Sequence, residues 1–314
     1  FYTKQGYGWV EVSQARKQIM KKLPIAILAI QASAFFIFAL NAQTPTKEDR
    51  PVNILFAIAD DWGWPHAGAY GDSVVQTPTF DRLAKEGVLF TQAYVSSPSC
   101  TPSRSAILTG QFHWRLKGAA NLWSVFPDQF ATYPELLESN GYQSGVTSKG
   151  WGPGKTETAK RPLHGHRFKS FEAFLDQSDE SKPFVFWLGT GDPHRPYKKD
   201  SGAESGMNLN QVHLFQHFPD NSLVRGDVAD YYWEVQRFDR LVAKAVEELE
   251  ERNMLENTII VMTGDHGMPF PRCKSNLYDS GTRVPLAIRY GSKIKANRVV
   301  NDFVSLTDLA PTFL

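Results

Sequence analysis

The chain has 314 residues, 42% hydrophobic and 13% aromatic, enough to bury a large core and unlike a disordered or fibrous chain. Its formal charge of +1 hides an asymmetry: residues 1 to 42 hold Lys4, Arg16, Lys17, Lys21 and Lys22 against Glu11 alone. The remainder carries 29 basic and 32 acidic residues, a net charge of −3, so no broad basic field for nucleic acid survives.

Met20 reads as a natural start, which makes residues 1–19 a non-native upstream extension. Lys21-Lys22, the apolar run from Leu23 to Leu40 and the small Ala42 supply the charged, apolar and small-residue parts of a secretory signal peptide over 20–42. A run of this length also suits an uncleaved anchor, the only membrane contact expected. In either case the catalytic region is exported, to a periplasm or the exterior, or to a lysosome-like compartment in a eukaryote. Residues 43–50 form a polar linker and 51–314 a single catalytic domain.

From there strands and helices alternate. Val52 to Ala59 is a nearly continuous apolar run, the pattern of a strand covered on both faces. Thr77-Pro78 opens a helix that runs through Arg82 and is closed by Gly87. Tyr133 to Ser139 repeats this pattern before Gly141, and Gln143 to Thr147 is the next strand. Phe184 to Leu188 and Thr258 to Met262 are two more buried strands. Between them, Asp227 to Glu251 spaces Tyr231, Val235, Phe238, Leu241, Val242, Ala245 and Leu249 like one face of a long helix. The alternation predicts an α/β fold with a mostly parallel sheet sandwiched between helices.

Ligands of such sheets sit at the carboxyl ends of the strands, and the polar clusters fall there. Asp60-Asp61 follows the first strand directly and Asp265-His266-Gly267 follows the strand ending near Thr263. Alone, the first reads equally well as a cap or turn and the second as a loop. Together they make an oxygen-rich pocket that repels itself without a cation, and a hard divalent ion answers that. Cys100-Thr101-Pro102-Ser103-Arg104, leading into Leu108-Thr109-Gly110, sets a thiol at a helix start with a fixed cation one turn away. That arrangement suits an oxyanion; the plain alternatives are a buried structural cysteine or a disulfide with Cys273, the only other cysteine.

Asn53 to Trp62, the Cys100 run and Thr263 to Gly267 stand in the order and rough spacing of the type I sulfatases, which the chain resembles over most of residues 51–314. The resemblance implies an alkaline-phosphatase-like fold and a Cys100 oxidised to formylglycine by a formylglycine-generating enzyme. The aldehyde works there as its hydrate, one oxygen attacking sulfur and the other expelling sulfate. It implies Ca2+ held by Asp60, Asp61, Cys100, Asp265 and His266, the last replacing a common Asn with a softer ligand. Asp265 would take the proton of the hydrate, and Arg104 would hold the hydrate and the cysteine-derived side chain. Lys149 and Lys274 match lysines that bind sulfate oxygens, and His194, in Gly191-Asp192-Pro193-His194-Arg195-Pro196, matches the histidine that protonates the leaving group.

One departure stands out. Trp151 occupies the position, two residues after Lys149, of a histidine that helps break down the sulfo-enzyme, and an indole is no general base. Either another residue, such as His164 or His166, takes the role, or turnover is slower, or this subset works without it. The stretches Gly191–Pro196 and Gly267–Tyr278 most resemble the heparan N-sulfatase branch, which makes a sulfated carbohydrate, leaning to N-sulfoglucosamine, the expected partner. Sugar-ring contacts are expected from the loops Trp62–Tyr70, His113–Trp123 and Pro196–Phe218. A phosphoester or phosphonate hydrolase on the same scaffold and an inactive glycan-binding relative are the rival readings. Family members continue beyond the equivalent of Leu314, so the chain reads as truncated at its C-terminal end.

Overall fold

The computed structural model describes residues 51–159 and 161–314, so the upstream extension, signal segment and linker expected before residue 51 lie outside it. Eight strands form the main sheet: β1 (Asn53–Ala59), β2 (Val88–Phe90), β3 (Gln143–Thr147), β4 (His166–Phe168), β5 (Phe184–Gly189), β6 (Thr258–Gly264), β7 (Leu286–Arg289) and β8 (Arg298–Val300). Their order is β8-β2-β7-β6-β1-β5-β3-β4. The five from β6 to β4 are mutually parallel, and β7 runs antiparallel to both its neighbours. The expected mostly parallel sheet is present.

The apolar runs feed two separate cores because side chains of a strand alternate between faces. Leu55, Ala57 and Ala59 of β1 join Phe184, Phe186 and Leu188 of β5 on one face, beneath α1 (Pro78–Glu86) and the long α4 (Ser222–Glu251). Ile54, Phe56 and Ile58 join Val185 and Trp187 on the other, beneath α2 (Cys100–Thr109), α3 (Tyr133–Ser139) and α5 (Leu309–Phe313). Each Leu, Ile, Val or Phe among them contributes about 1.5–3 kcal/mol on burial, so the central strands are the most firmly held part of the sheet.

Helix α4 begins five residues before the expected Asp227. Asn221 caps it by accepting the Val224 amide at 3.0 Å, which offsets the low helix propensity of Gly226 in the first turns. β2, β4 and β8 have three residues each, too few to show a period. Among the described residues no helix is long and apolar enough to cross a membrane.

Candidate functional site

Adjacent parallel strands deliver the polar side chains to one edge. β1 runs into Asp60 and Asp61, β6 into Asp265 and His266, β3 into Ser148 and Lys149, and β5 into the loop carrying His194. Ala59 pairs with Gly264 in register, which sets Asp60 beside Asp265. At Gly189, the end of β5, a Cβ would meet the carbonyl oxygen of Lys149 at 1.9 Å, so only glycine lets the Lys149 backbone cross there. Cys100, the first residue of α2, closes the group from above.

Arg104, one turn along α2, is fully buried and ties these ends together. Its Nε donates to Asp265 Oδ2 at 2.8 Å, Nη1 to the carbonyls of Gly150 and Lys149 at 2.8 and 3.1 Å, and Nη2 to that of Ala59 at 3.4 Å. The sequence reading aimed this guanidinium at residue 100; its hydrogen bonds go to Asp265 and to three carbonyls at two further strand ends. Ser103, inside the same motif and not singled out from sequence, adds a hydroxyl bond of 2.5 Å to the Asp265 carbonyl.

Asp60, Asp61, Cys100 and His266 are all buried, and one ligand atom from each lies within 4.8 Å of every other. Cys100 Sγ stands 3.4 Å from Asp60 Oδ1, 3.9 Å from Asp61 Oδ1 and 3.3 Å from His266 Nε2. His266 Nδ1 faces the Gly267 carbonyl at 3.0 Å and must donate to it, leaving Nε2 toward Asp61 Oδ1 at 3.2 Å. Two lone-pair atoms that close need a proton or a cation between them, and two carboxylates in the same dry pocket favour a divalent cation. The residues therefore fit a metal ion. Asp265, expected as a fifth ligand, is not in this four-residue set: one oxygen pairs with Arg104, and the other accepts the Asp61 amide at 2.9 Å and lies 3.5 Å from His266 Nε2.

The electrostatics follow from burial. Desolvation, then the Asp265 and Asp60 charges, push the Cys100 thiol up to about 12. Burial raises Asp60, with repulsion from Asp265 adding to it. Burial also works on Asp265, but His266, Arg104 and Lys149 outweigh it and hold its carboxyl well below the usual range. Asp61 takes a left-handed backbone with φ of 75°, strain of the kind that gathers at functional sites.

The two lysines pair with different carboxylates. Lys149 Nζ lies 2.5 Å from Asp60 Oδ2, and Lys274 Nζ 2.8 Å from both oxygens of Asp61. His194 stands at the open side, 43% exposed, with Nε2 4.0 Å from Asp61 Oδ2. Its Nδ1 faces the Arg195 carbonyl at 2.6 Å. Arg195 is itself fixed by a double ion pair to Asp227 (2.9 and 2.5 Å) and lies over Tyr197 and Phe270. Its position next to His194 was the only sequence signal of this brace.

Neither stand-in for the missing histidine reaches Cys100. The His164 ring packs against Gly150, where burial pushes its imidazole down to about 4, and His166 is exposed on β4. Trp151 donates to Ser105 Oγ at 2.7 Å and packs edge-on against Phe126, a supporting position. Cys100 and Cys273 are both free thiols, which removes the disulfide alternative. Of the loops expected to touch sugar, Trp62–Tyr70 turns inward, with Trp62 and His66 buried, whereas Trp114 and Trp123 in the second are 64% and 77% exposed.

Comparison with known proteins agrees with this geometry. The sulfatase family model matches residues 52–314. The chain is 32% identical over 305 residues to human N-sulphoglucosamine sulphohydrolase, covering 84% of this chain and 60% of that protein. It is 30% identical over 311 residues to an ulvan-active sulfatase of Formosa agariphila, covering 85% and 52%. The chain thus spans little more than half the length of these relatives. Among solved structures, the phosphonate monoester hydrolase of Agrobacterium radiobacter shares the fold with a TM-score of 0.67 at 18% identity, covering 83% of this chain and 72% of that one.

Proposed function

The chain belongs to the sulfatase family, and from that premise we propose that the whole protein hydrolyses sulfate esters or sulfamates of carbohydrates, with glycosaminoglycan-type N-sulfoglucosamine as the leading substrate. One observation carries the reading: Cys100 lies within 3.9 Å of Asp60, Asp61 and His266, with Lys149 paired to Asp60 and Lys274 to Asp61. An anion bound by the two lysines would lie beside residue 100. The similarity to a sulphohydrolase of N-sulphoglucosamine supports the substrate.

Oxidised to formylglycine by a generating enzyme, residue 100 would supply the hydrated aldehyde as nucleophile. Asp60, Asp61 and His266, joined by residue 100, would hold a cation, with Ca2+ the choice and Asp265 beside it. The ion would supply polarisation of sulfate and a lowered pKa at the attacking hydroxyl. Lys149 and Lys274 would leave their carboxylates to bind sulfate oxygens. Arg104 anchors Asp265 beside the site, and Asp265 would accept the proton of residue 100. His194, with Nδ1 committed to the Arg195 carbonyl, offers Nε2 to donate a proton to the departing sugar oxygen or nitrogen. A signal segment at 20–42 would export the enzyme to where such glycans are degraded.

The shared fold with a phosphonate monoester hydrolase supports a second reading, phosphoester or phosphonate hydrolysis. Turnover of glucosamine N-sulfate, an aryl sulfate and an aryl phosphate separates the two: the sulfated substrates should dominate, and preference for phosphate would replace the sulfatase reading. Sugar binding without turnover by the modified protein would favour an inactive relative.

A further inference from the structure

Arg195 follows His194 in the chain, and its guanidinium reaches two other elements. Nη1 and Nη2 donate to the two oxygens of Asp227, near the start of α4, at 2.9 and 2.5 Å, and Nε donates to the Pro269 carbonyl at 3.1 Å. The rings of Tyr197 and Phe270 lie 4.6 and 4.5 Å from the guanidinium carbon. Pro269 belongs to a tight turn in which the Met268 carbonyl accepts the amides of Phe270 at 2.9 Å and Lys274 at 3.0 Å. The side chain therefore joins α4 to the segment that presents Lys274. An ion pair whose two side chains are each 39% exposed adds little to folding stability, so what these contacts impose is geometry.

That geometry passes to His194 through the backbone. The Arg195 carbonyl faces His194 Nδ1 at 2.6 Å, the one hydrogen bond of that half-exposed ring among the described residues. A carbonyl only accepts, so Nδ1 keeps its proton in both charge states of the ring, and the proton that can be given away sits on Nε2. Nε2 lies 4.0 Å from Asp61 Oδ2, toward the site.

We propose that Arg195 is a positioning residue for the departure of the leaving group: its side chain, pinned to α4 and to the Lys274 segment, fixes its own carbonyl and so aims His194 Nε2 at the departing atom. The inference rests on the sulfatase reading above and on the role of His194 within it. In that step the S–O or S–N bond breaks, its electron pair passes to the departing oxygen or nitrogen, and the Nε2 proton goes to the same atom. A strongly basic leaving group needs that proton and a weakly basic one does not, so a misaimed ring costs phenyl sulfate more than para-nitrophenyl sulfate.

The test is kcat/KM on these two sulfates, with the full-length protein co-expressed with a formylglycine-generating enzyme. A placed acid contributes roughly 10^2- to 10^4-fold, so Arg195→Met should widen the ratio between the two substrates by about tenfold or more, with a melting curve close to the parent's. Asp227→Asn, which removes the charge of the partner alone, should widen it in the same direction by less, and decides the matter if Arg195→Met does not fold. In a His194→Ala background Arg195→Met should widen the ratio no further, because its effect passes through that ring. Equal loss on both substrates, an unchanged ratio, or further widening in the His194→Ala background overturns the positioning role and leaves the sulfatase reading intact. A parent that turns over para-nitrophenyl sulfate alone has no working acid and overturns the inference as well. A parent that turns over neither overturns both readings.

Discussion

The strand-end cluster and the small ribbon that pairs Ser124–Phe126 with Gly154–Thr156 are built on opposite principles. In the cluster Asp60, Asp61, Arg104, Asp265 and His266 are at most 2% exposed, and each charge has a named partner. At the ribbon Trp123 and Lys155 stand in solvent without one. Buried charges must be paired or bind an ion, so the cluster can hardly change without loss of the fold or the chemistry. Exposed side chains are free to vary, and there a common reaction acquires its particular glycan.

The largest effect should come from Cys100→Ala, which should lower kcat for a sulfated substrate by on the order of 10^4 or more, measured beside the unchanged melting curve of the folded protein. Retained turnover would remove the cluster from catalysis. Next, Arg104→Met should cost about 3–5 kcal/mol in denaturant unfolding, because it strands Asp265 as a buried charge; Lys155→Met should stay within about 0.5 kcal/mol. Equal costs would erase the contrast between the two regions. Lys274→Ala should reduce kcat about 10^2- to 10^3-fold, the loss of one preorganised contact to the transition state, seen in steady-state kinetics.

A divalent cation binding the folded state should raise stability by about 2.7 kcal/mol at a hundred times its dissociation constant. Calorimetric melting of chelator-treated protein titrated with calcium reads this, and Asp61→Asn should abolish the rise. The smallest effect concerns Glu234, which burial, with repulsion from Asp192, raises from 4.5 to about 7. Arg237 bridges the two, 2.7 Å from Glu234 and 3.4 Å from Asp192, whose carbonyl accepts the Asp60 amide. Between those values the folded state binds the extra proton, so this group makes stability fall as pH rises from about 4.5 to about 7 and level off above. Melting temperatures across that window should show the decline in the parent and a shallower one in Glu234→Gln.

Much of this was legible in the sequence for a physical reason. Buried parallel strands must be apolar throughout, so Asp60-Asp61 and Asp265-His266 stand out where such runs end. What could not be read depends on contacts distant in sequence. The partners of Arg104 lie 45 and 161 residues away, and its side chain braces three strand ends. Composition alone did not separate the loop at Trp62, which packs against Phe80 and Phe238, from that at Trp123, which faces solvent. The antiparallel β7 escaped because four residues carry no direction. Trp151 was recognised as a departure, but its support of Phe126 and Ser105 required the fold.

The central claim is that residue 100 acts as an oxidised cysteine inside a cation-holding pocket. Peptide mass spectrometry of the Cys100 fragment, from the full-length protein co-expressed with a formylglycine-generating enzyme, tests it most directly. The account predicts a mass below that of the cysteine form, shifting further when trapped with an aldehyde reagent. An unmodified thiol under those conditions would contradict it, because a thiol cannot form the hydrated aldehyde assigned to this position.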